Sequence, residues 1–161
     1  MKPLRIAIGS DMAGLRYKAA LAEDLRASRQ VVSVIGVADD MSAEPAYPDV
    51  AFAAARLVAR GSADRALLIC HTGLGMAIAA NKVWGIRAVT ARDSLSVQHA
   101  VLSNDAQVLA LGQGVIGLDD ARLLVQEWLS YRFDPASSAA RKVEAITAYE
   151  HRAHDAAMRG L

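Results

Sequence analysis

The chain has 161 residues, a formal net charge of +1 and a hydrophobic content of 53%, but only 5% aromatics. That length supports one domain, residues 1–161, with a full core. The near-neutral charge argues against nucleic acid or an anionic membrane surface as partner. No apolar run approaches the roughly 20 residues of a membrane span. Cys70 is the single cysteine, so no internal disulfide is possible. The N-terminal stretch runs into a strand without a signal-peptide core, and the expected location is the cytoplasm.

Taken in order, Leu4–Gly9 reads as a β-run that ends in Gly9-Ser-Asp-Met-Ala-Gly14. Helical spacing follows from Ala13 to Ala27, with Leu15, Ala19, Leu21 and Leu25 as expected core contacts. Val31–Gly36 is a second β-run. Ala38–Pro48 is polar, carries two prolines and reads as a loop. Asp49 is placed to cap a helix from Val50 to Arg60. A strand at Ala66–Cys70 is followed by a helix at Leu74–Val83. Next come a strand at Ile86–Thr90, a helix at Arg92–Leu102 and a strand at Gln107–Leu111. An amphipathic helix at Leu118–Trp128 carries Asp119 and Asp120 in its first turn, where the helix dipole favours them. After a break at Phe133-Asp-Pro, Ala139–Met158 forms a last, more polar helix.

Short, nearly continuous apolar strands alternate with helices, as in parallel sheets covered on both faces. The expected fold is α/β: a Rossmann-like three-layer sandwich with a five-stranded parallel sheet and an extra C-terminal helix. That last helix has no strand to cover, and a subunit interface is its simplest place. Ligands in such folds bind beyond the carboxyl ends of the strands. Three turns are assigned there: Gly9–Gly14, Cys70–Gly75 and Ser103–Gln107. No histidine or cysteine cluster has metal-ligand spacing, so no metal is expected. Gly9–Gly14 lacks the middle glycine of a dinucleotide fingerprint, and the Cys70 turn is not a Walker motif.

The stretch Leu67–Lys82 organises the chain: a buried strand, a glycine turn and a helix, with Cys70 at the strand's last position. A cysteine there is either a small buried hydrophobe or, beside converging backbone amides, a base or nucleophile. Thr72 is either a helix cap or a ligand contact. Gly73 and Gly75 serve the turn under both readings. Asp11 is either a turn aspartate or a ligand contact. His71 adjoins the anion-binding turn. His99 and Ser103, four apart, share a helix face. Lys142, with Arg141, is either a solvated face or an anion contact.

Cys70-His-Thr-Gly-Leu-Gly-Met-Ala-Ile-Ala-Ala-Asn-Lys82 resembles the C-G-T-G-x-G-x-x-I-A-A-N-K pattern of the ribose-5-phosphate isomerase B / galactose-6-phosphate isomerase family. Further matches are Gly9-Ser-Asp-x-Ala-Gly14, Tyr47-Pro-Asp-Val-Ala51, Gly85-Ile-Arg-Ala88, Ser103-Asn-Asp-Ala-Gln-Val-Leu-Ala-Leu-Gly112 and Val143-Glu-Ala-Ile146, in family order. The resemblance implies a homodimer, or a dimer of dimers, with active sites shared between subunits. It also implies cofactor-free aldose–ketose isomerisation of a small sugar phosphate through a cis-enediolate. Cys70 matches the base of one branch; Met76 stands where another branch has a glutamate. Thr72 matches a residue that polarises the substrate, Asp11 one that contacts sugar hydroxyls, and Tyr47 and Asn104 residues that line the pocket.

The departures are as informative. Met12 and Ser103 stand where the pentose enzymes have histidines, the latter their ring-opening group. Gly114, Ser138 and Lys142 stand where they have arginines. His71 replaces a glycine. A ring-opening group is dispensable for an open-chain substrate. The family's tetrose and tetrulose phosphate isomerases share the serine and the F-D-P, so the resemblance points away from ribose 5-phosphate and toward four carbons. His99 is a candidate replacement for the missing histidine. The alternative reading is a non-catalytic partner subunit of a heteromeric isomerase; retention of Cys70 favours the enzyme.

Overall fold

The computed structural model describes residues 1–39 and 44–160. Residues 40–43 of the predicted loop, and residue 161, lie outside the described residues. The elements are β1 (Leu4–Ser10), α1 (Leu15–Ala27), β2 (Val31–Val37), α2 (Tyr47–Ala59), β3 (Arg65–Cys70), α3 (Leu74–Ala80), β4 (Ala88–Thr90), α4 (Ser94–Leu102), β5 (Val108–Gly112), α5 (Leu118–Ser130) and α6 (Ala140–Met158). The five strands form one all-parallel sheet in the order β2-β1-β3-β5-β4. The expected α/β sandwich is thus present.

Alternate residues of each strand feed two cores. Ile6, Ile8, Leu67, Ile69, Leu109 and Leu111 pack against α1, α4 and α5. Ala7, Ala66, Leu68, Cys70, Val108 and Ala110 pack against the alanine-rich faces of α2 and α3. The small residues on this second face let two helices lie close to the sheet, which explains a high apolar content with few aromatics. In α1 the buried stripe is Tyr17, Leu21, Ala22 and Leu25. Leu15 and Ala19, expected in the core, are exposed. The reason is a 3-10 turn at Met12–Gly14, which delays the start of α1 and rotates its inward face.

Several helix ends depart from expectation. The cap position of α2 is Ala46, with Pro48 in the first turn; Asp49 lies inside that turn rather than capping it. α3 stops at Ala80, short of Val83. The next residue, Asn81, bonds both backbone groups of Ala88 at 2.8 Å, tying the end of α3 to the start of β4. At the foot of β3 the buried Arg65 donates to the carbonyls of Trp128 (2.5 Å) and Tyr131 (2.7 Å), closing the end of α5. Burial lowers its pKa to about 10, so it stays charged at neutral pH.

α6 belongs to neither layer. Only Val143 of its described residues is buried. It is held where Glu150 accepts from the Gly85 amide at 3.0 Å and where the Trp84 ring meets His151 edge-on at 4.8 Å. Ile146 and Tyr149 remain exposed. Among the described residues no helix is long and apolar enough to cross a membrane.

Candidate active site

The chain passes from β1 to β2 on one side and returns over β1 to reach β3 on the other. The crevice between β1 and β3 at their carboxyl ends is therefore the topological switch point where such folds bind ligands. Asp11 follows β1, and Cys70 closes β3.

Cys70 is buried, and its Sγ accepts the Gly73 amide proton at 3.1 Å. Gly73 has φ 82°, a left-handed conformation that glycine adopts without steric cost. That twist redirects the chain and lets α3 begin at Leu74. Thr72 takes part of the cap role: its Oγ1 accepts from the Leu74 amide at 3.3 Å, although the cap position itself is Gly73. Two turn amides are thereby engaged locally. The amides of Gly75 and Met76, next along the helix, have no intrahelical acceptor by geometry.

Asp11 and Tyr47 reach the same end of the sheet. Asp11 accepts from the Gly14 amide at 3.2 Å, so the turn role is realised through one oxygen. Gly14 packs so tightly that a Cβ there would stand 2.5 Å from the Ile69 carbonyl oxygen, seating the Asp11 turn against β3. The Tyr47 ring lies on Gly75, where a Cβ would stand 2.6 Å from its Cε2. Glycine at 75 thus leaves room for the tyrosine ring, and its backbone angle does not call for glycine. Met12 is half exposed at the mouth. His71 is exposed beside Cys70.

Thr72 also opens on a cavity of about 420 Å³, lined by Leu74, Thr90, Arg92, Gly112 and Val115 among others. Arg92 is an unforeseen basic neighbour of the turn. Ser10 was passed over as well. It is 3% exposed at the end of β1, and its hydroxyl has no partner among the described residues. A strand-end serine beside Asp11 carries no sequence signal that separates it from ordinary core.

His99, Ser103 and Asn104 are elsewhere. The Ser103–Gln107 turn leads into β5, so it lies at the amino end of the sheet and not, as expected, at the carboxyl end. In a parallel α/β unit each helix runs back down, which puts the last turn of α4 at the foot of the sheet. A five-residue strand separates the two ends by on the order of 15 Å. The cluster is nonetheless ordered. Ser103 Oγ and His99 Nδ1 are 3.1 Å apart, confirming the shared helix face. Arg87 donates to the Asn104 carbonyl at 3.0 Å and pairs with Asp105 at 2.9 Å. Burial raises the Asp105 carboxyl pKa, partly offset by Arg87. Lys142 is exposed on α6. Within one chain the structure therefore gathers Cys70, His71, Thr72, Gly73, Gly75, Asp11 and Tyr47, and separates them from His99, Ser103 and Asn104.

Among the described residues no three histidine, cysteine or acidic side chains cluster so as to hold a metal ion. The site's polar groups are amides, hydroxyls, a thiol, a carboxylate and imidazole, which suits proton transfer next to a polarised carbonyl.

Comparison with known proteins agrees with this geometry. The Ribose/Galactose Isomerase family model matches residues 6–146. The chain is 60% identical over 151 residues to D-erythrulose-4-phosphate isomerase 2 of Mycolicibacterium smegmatis, covering 91% of this chain and 97% of the relative. It is 43% identical to D-erythrulose-4-phosphate isomerase of Pectobacterium atrosepticum, covering 92% of this chain and 96% of the relative. Ribose-5-phosphate isomerase B of Clostridium thermocellum superposes with a TM-score of 0.84 at 38% identity, covering 92% of this chain and 98% of the other. On these grounds the chain belongs to the ribose/galactose isomerase family, as its motifs lead one to expect.

Proposed function

We propose that this chain is a cofactor-free aldose–ketose isomerase of a four-carbon sugar phosphate, with D-erythrulose 4-phosphate as the ketose. The observation that carries the reading is the Cys70 sulfur, fixed by the Gly73 amide at the end of β3 inside a switch-point crevice. The names of the 60% and 43% identical relatives support the substrate. They also favour an enzyme over a non-catalytic partner subunit.

In this mechanism Cys70, as thiolate, removes the proton from the carbon beside the carbonyl. The product is a cis-enediolate; return of the proton to the neighbouring carbon, with one proton moved between the two enediolate oxygens, exchanges ketose and aldose. Thr72 and the Gly75 and Met76 amides meet the oxygen on which charge develops, where such donors act most strongly. Asp11 and Tyr47 position the hydroxyls.

A homodimer, or a dimer of dimers, completes the site. His99, Ser103, Asn104 and Lys142 of one copy reach the Cys70 turn of another, where His99 serves as the acid/base partner. Support comes from the order of the amino-end cluster despite its separation from Cys70. Exposed Leu74 and Ile78 on α3 and Ile146 and Tyr149 on α6 offer apolar surface for the contact. A reducing cytoplasm keeps Cys70 a free thiol.

The test is solvent-deuterium uptake into D-erythrulose 4-phosphate, followed by NMR. Uptake at the carbon beside the carbonyl is expected for the native chain and its loss for Cys70→Ala. Full exchange by the variant would reject Cys70 as base.

A further inference from the structure

A phosphorylated substrate needs a side-chain donor for its anion, and the described carboxyl end of the sheet offers few. Lys18 is committed, donating to the Val37 carbonyl at 2.9 Å and to Asp39 at 2.5 Å. Arg141 and the copy's own Lys142 lie on α6. Within one copy Arg16, in the first turn of α1, His71 and Arg92 remain. Of these, His71 leaves the chain one residue after Cys70, about 3.8 Å away along the backbone.

Its placement is built rather than incidental. The turn after β5 is stitched to the turn after β3: the Gln113 amide donates to the Cys70 carbonyl and the Gly114 amide to the His71 carbonyl, both at 2.8 Å. Gly114 is not among the residues with positive φ, so its backbone does not call for glycine. What calls for it is the imidazole. A Cβ on Gly114 would overlap His71 Cε1 and stand 2.6 Å from Nδ1 and 2.8 Å from Nε2. The nitrogen-bearing edge of the ring occupies the space that any other residue at 114 would fill.

We propose that His71, seated in the space left by Gly114, is the side-chain donor that binds the substrate's phosphate and selects short substrates. This rests on the sugar-phosphate reading above. With the reacting carbon at Cys70 Sγ and the donor on the adjacent residue, only a short carbon chain spans the two. Gly114 acts at one remove, as a positioning residue. Because the ring is the free end of an exposed side chain, a methyl at 114 displaces it at little cost to folding.

The test compares the native chain with His71→Asn, Gly114→Ala, the double variant and Arg92→Gln. Each is assayed for kcat and KM on D-erythrulose 4-phosphate and for binding of inorganic phosphate by calorimetry. Loss of one charge-assisted bond predicts a KM and a phosphate Kd about 10-fold higher in His71→Asn, with the loss falling on KM rather than kcat. Gly114→Ala should move both constants the same way with an unchanged melting temperature, and the double variant should be no worse than His71→Asn. Additive losses, an unaffected Gly114→Ala, a loss confined to kcat, or a phosphate site that depends on Arg92 instead would each overturn the proposal. If the native chain turns over no sugar phosphate, the isomerase reading fails. The phosphate titrations still judge His71 on their own.

Discussion

The two ends of the sheet each present an ordered polar cluster, yet they are ordered in different ways. At the carboxyl end the groups belong to four segments that converge: Asp11 after β1, Tyr47 opening α2, Cys70 to Gly75 from the end of β3, and Gly114 after β5. They are positioned by contacts between distant segments, such as Tyr47 on Gly75 and Gly14 on Ile69. At the amino end His99, Ser103 and Asn104 sit on one helix end, linked by local bonds and anchored by Arg87. The first cluster lines the switch-point crevice between β1 and β3. The second lies a strand's length from that crevice. The sharing of one site between copies proposed above would account for both.

The sharpest way to break this comparison is at Cys70. Cys70→Ala is expected to lower turnover by about 10²–10⁴, the range for a positioned base. Far- and near-ultraviolet circular dichroism should stay native, and retained turnover would remove the carboxyl end from the chemistry. Next in size is His99→Ala/Ser103→Ala, expected to lower turnover by roughly 10–100-fold, since an acid/base partner contributes at least part of that same range. Mixing it with Cys70→Ala after unfolding and refolding together should restore activity that neither has alone, because one site of a mixed pair is then intact. Failure of complementation, with subunit exchange verified by mass spectrometry, would place the amino-end cluster outside the site.

A smaller effect is expected from Gly14→Ala. The new methyl meets the Ile69 carbonyl, a backbone group that cannot swing aside. Overpacking of this kind costs about 1–3 kcal/mol, read from urea midpoints, and it also carries Asp11 away from Cys70. KM should therefore rise along with the loss of stability; a stable variant with native KM would mean the two turns are not coupled.

The smallest effect lies at the foot of the sheet, where Arg5 clamps Asp64 at 2.7 Å. The hydrogen bond from Arg5 holds the Asp64 carboxyl below its ordinary pKa. Its contribution is therefore present above the ordinary carboxylate range and is lost as pH falls through the lowered value. Denaturant midpoints of the native chain and Asp64→Asn should differ at neutral pH and converge in acid, with kcat unchanged. A gap that persists in acid would assign the effect to something other than this ion pair.

Much of this was legible in the residues because it depends on local pattern. The alternation of apolar strands with helices specifies the layers. The Cys70-to-Gly75 turn reads correctly because a strand end, a left-handed glycine and a helix start are consecutive in the chain. The helix read from Arg92 begins at Ser94 with Asp93 as its cap, the Asp93 Oδ1 accepting from the Ser96 amide at 2.7 Å. What misled was direction. The Ser103–Gln107 turn resembles the others in composition, and only the path of α4 back along the sheet shows that it lies at the opposite end. Leu15 and Ala19 fit a helical stripe, but the 3-10 turn before α1 shifts the phase, and no local preference announces it.

By itself the sequence determined the family, the all-parallel α/β layers and the strand–turn–helix build around Cys70. These rest on periodicity, on chain-adjacent turn geometry and on motifs read in a fixed order. The tertiary structure alone decided which predicted site residues share a crevice, that Tyr47 rests on Gly75, that His71 takes the room of a side chain at 114, and that His99, Ser103 and Asn104 stand a strand's length from the thiol. Those are contacts between segments tens of residues apart, set by strand order and helix direction, and no spacing within the chain encodes them.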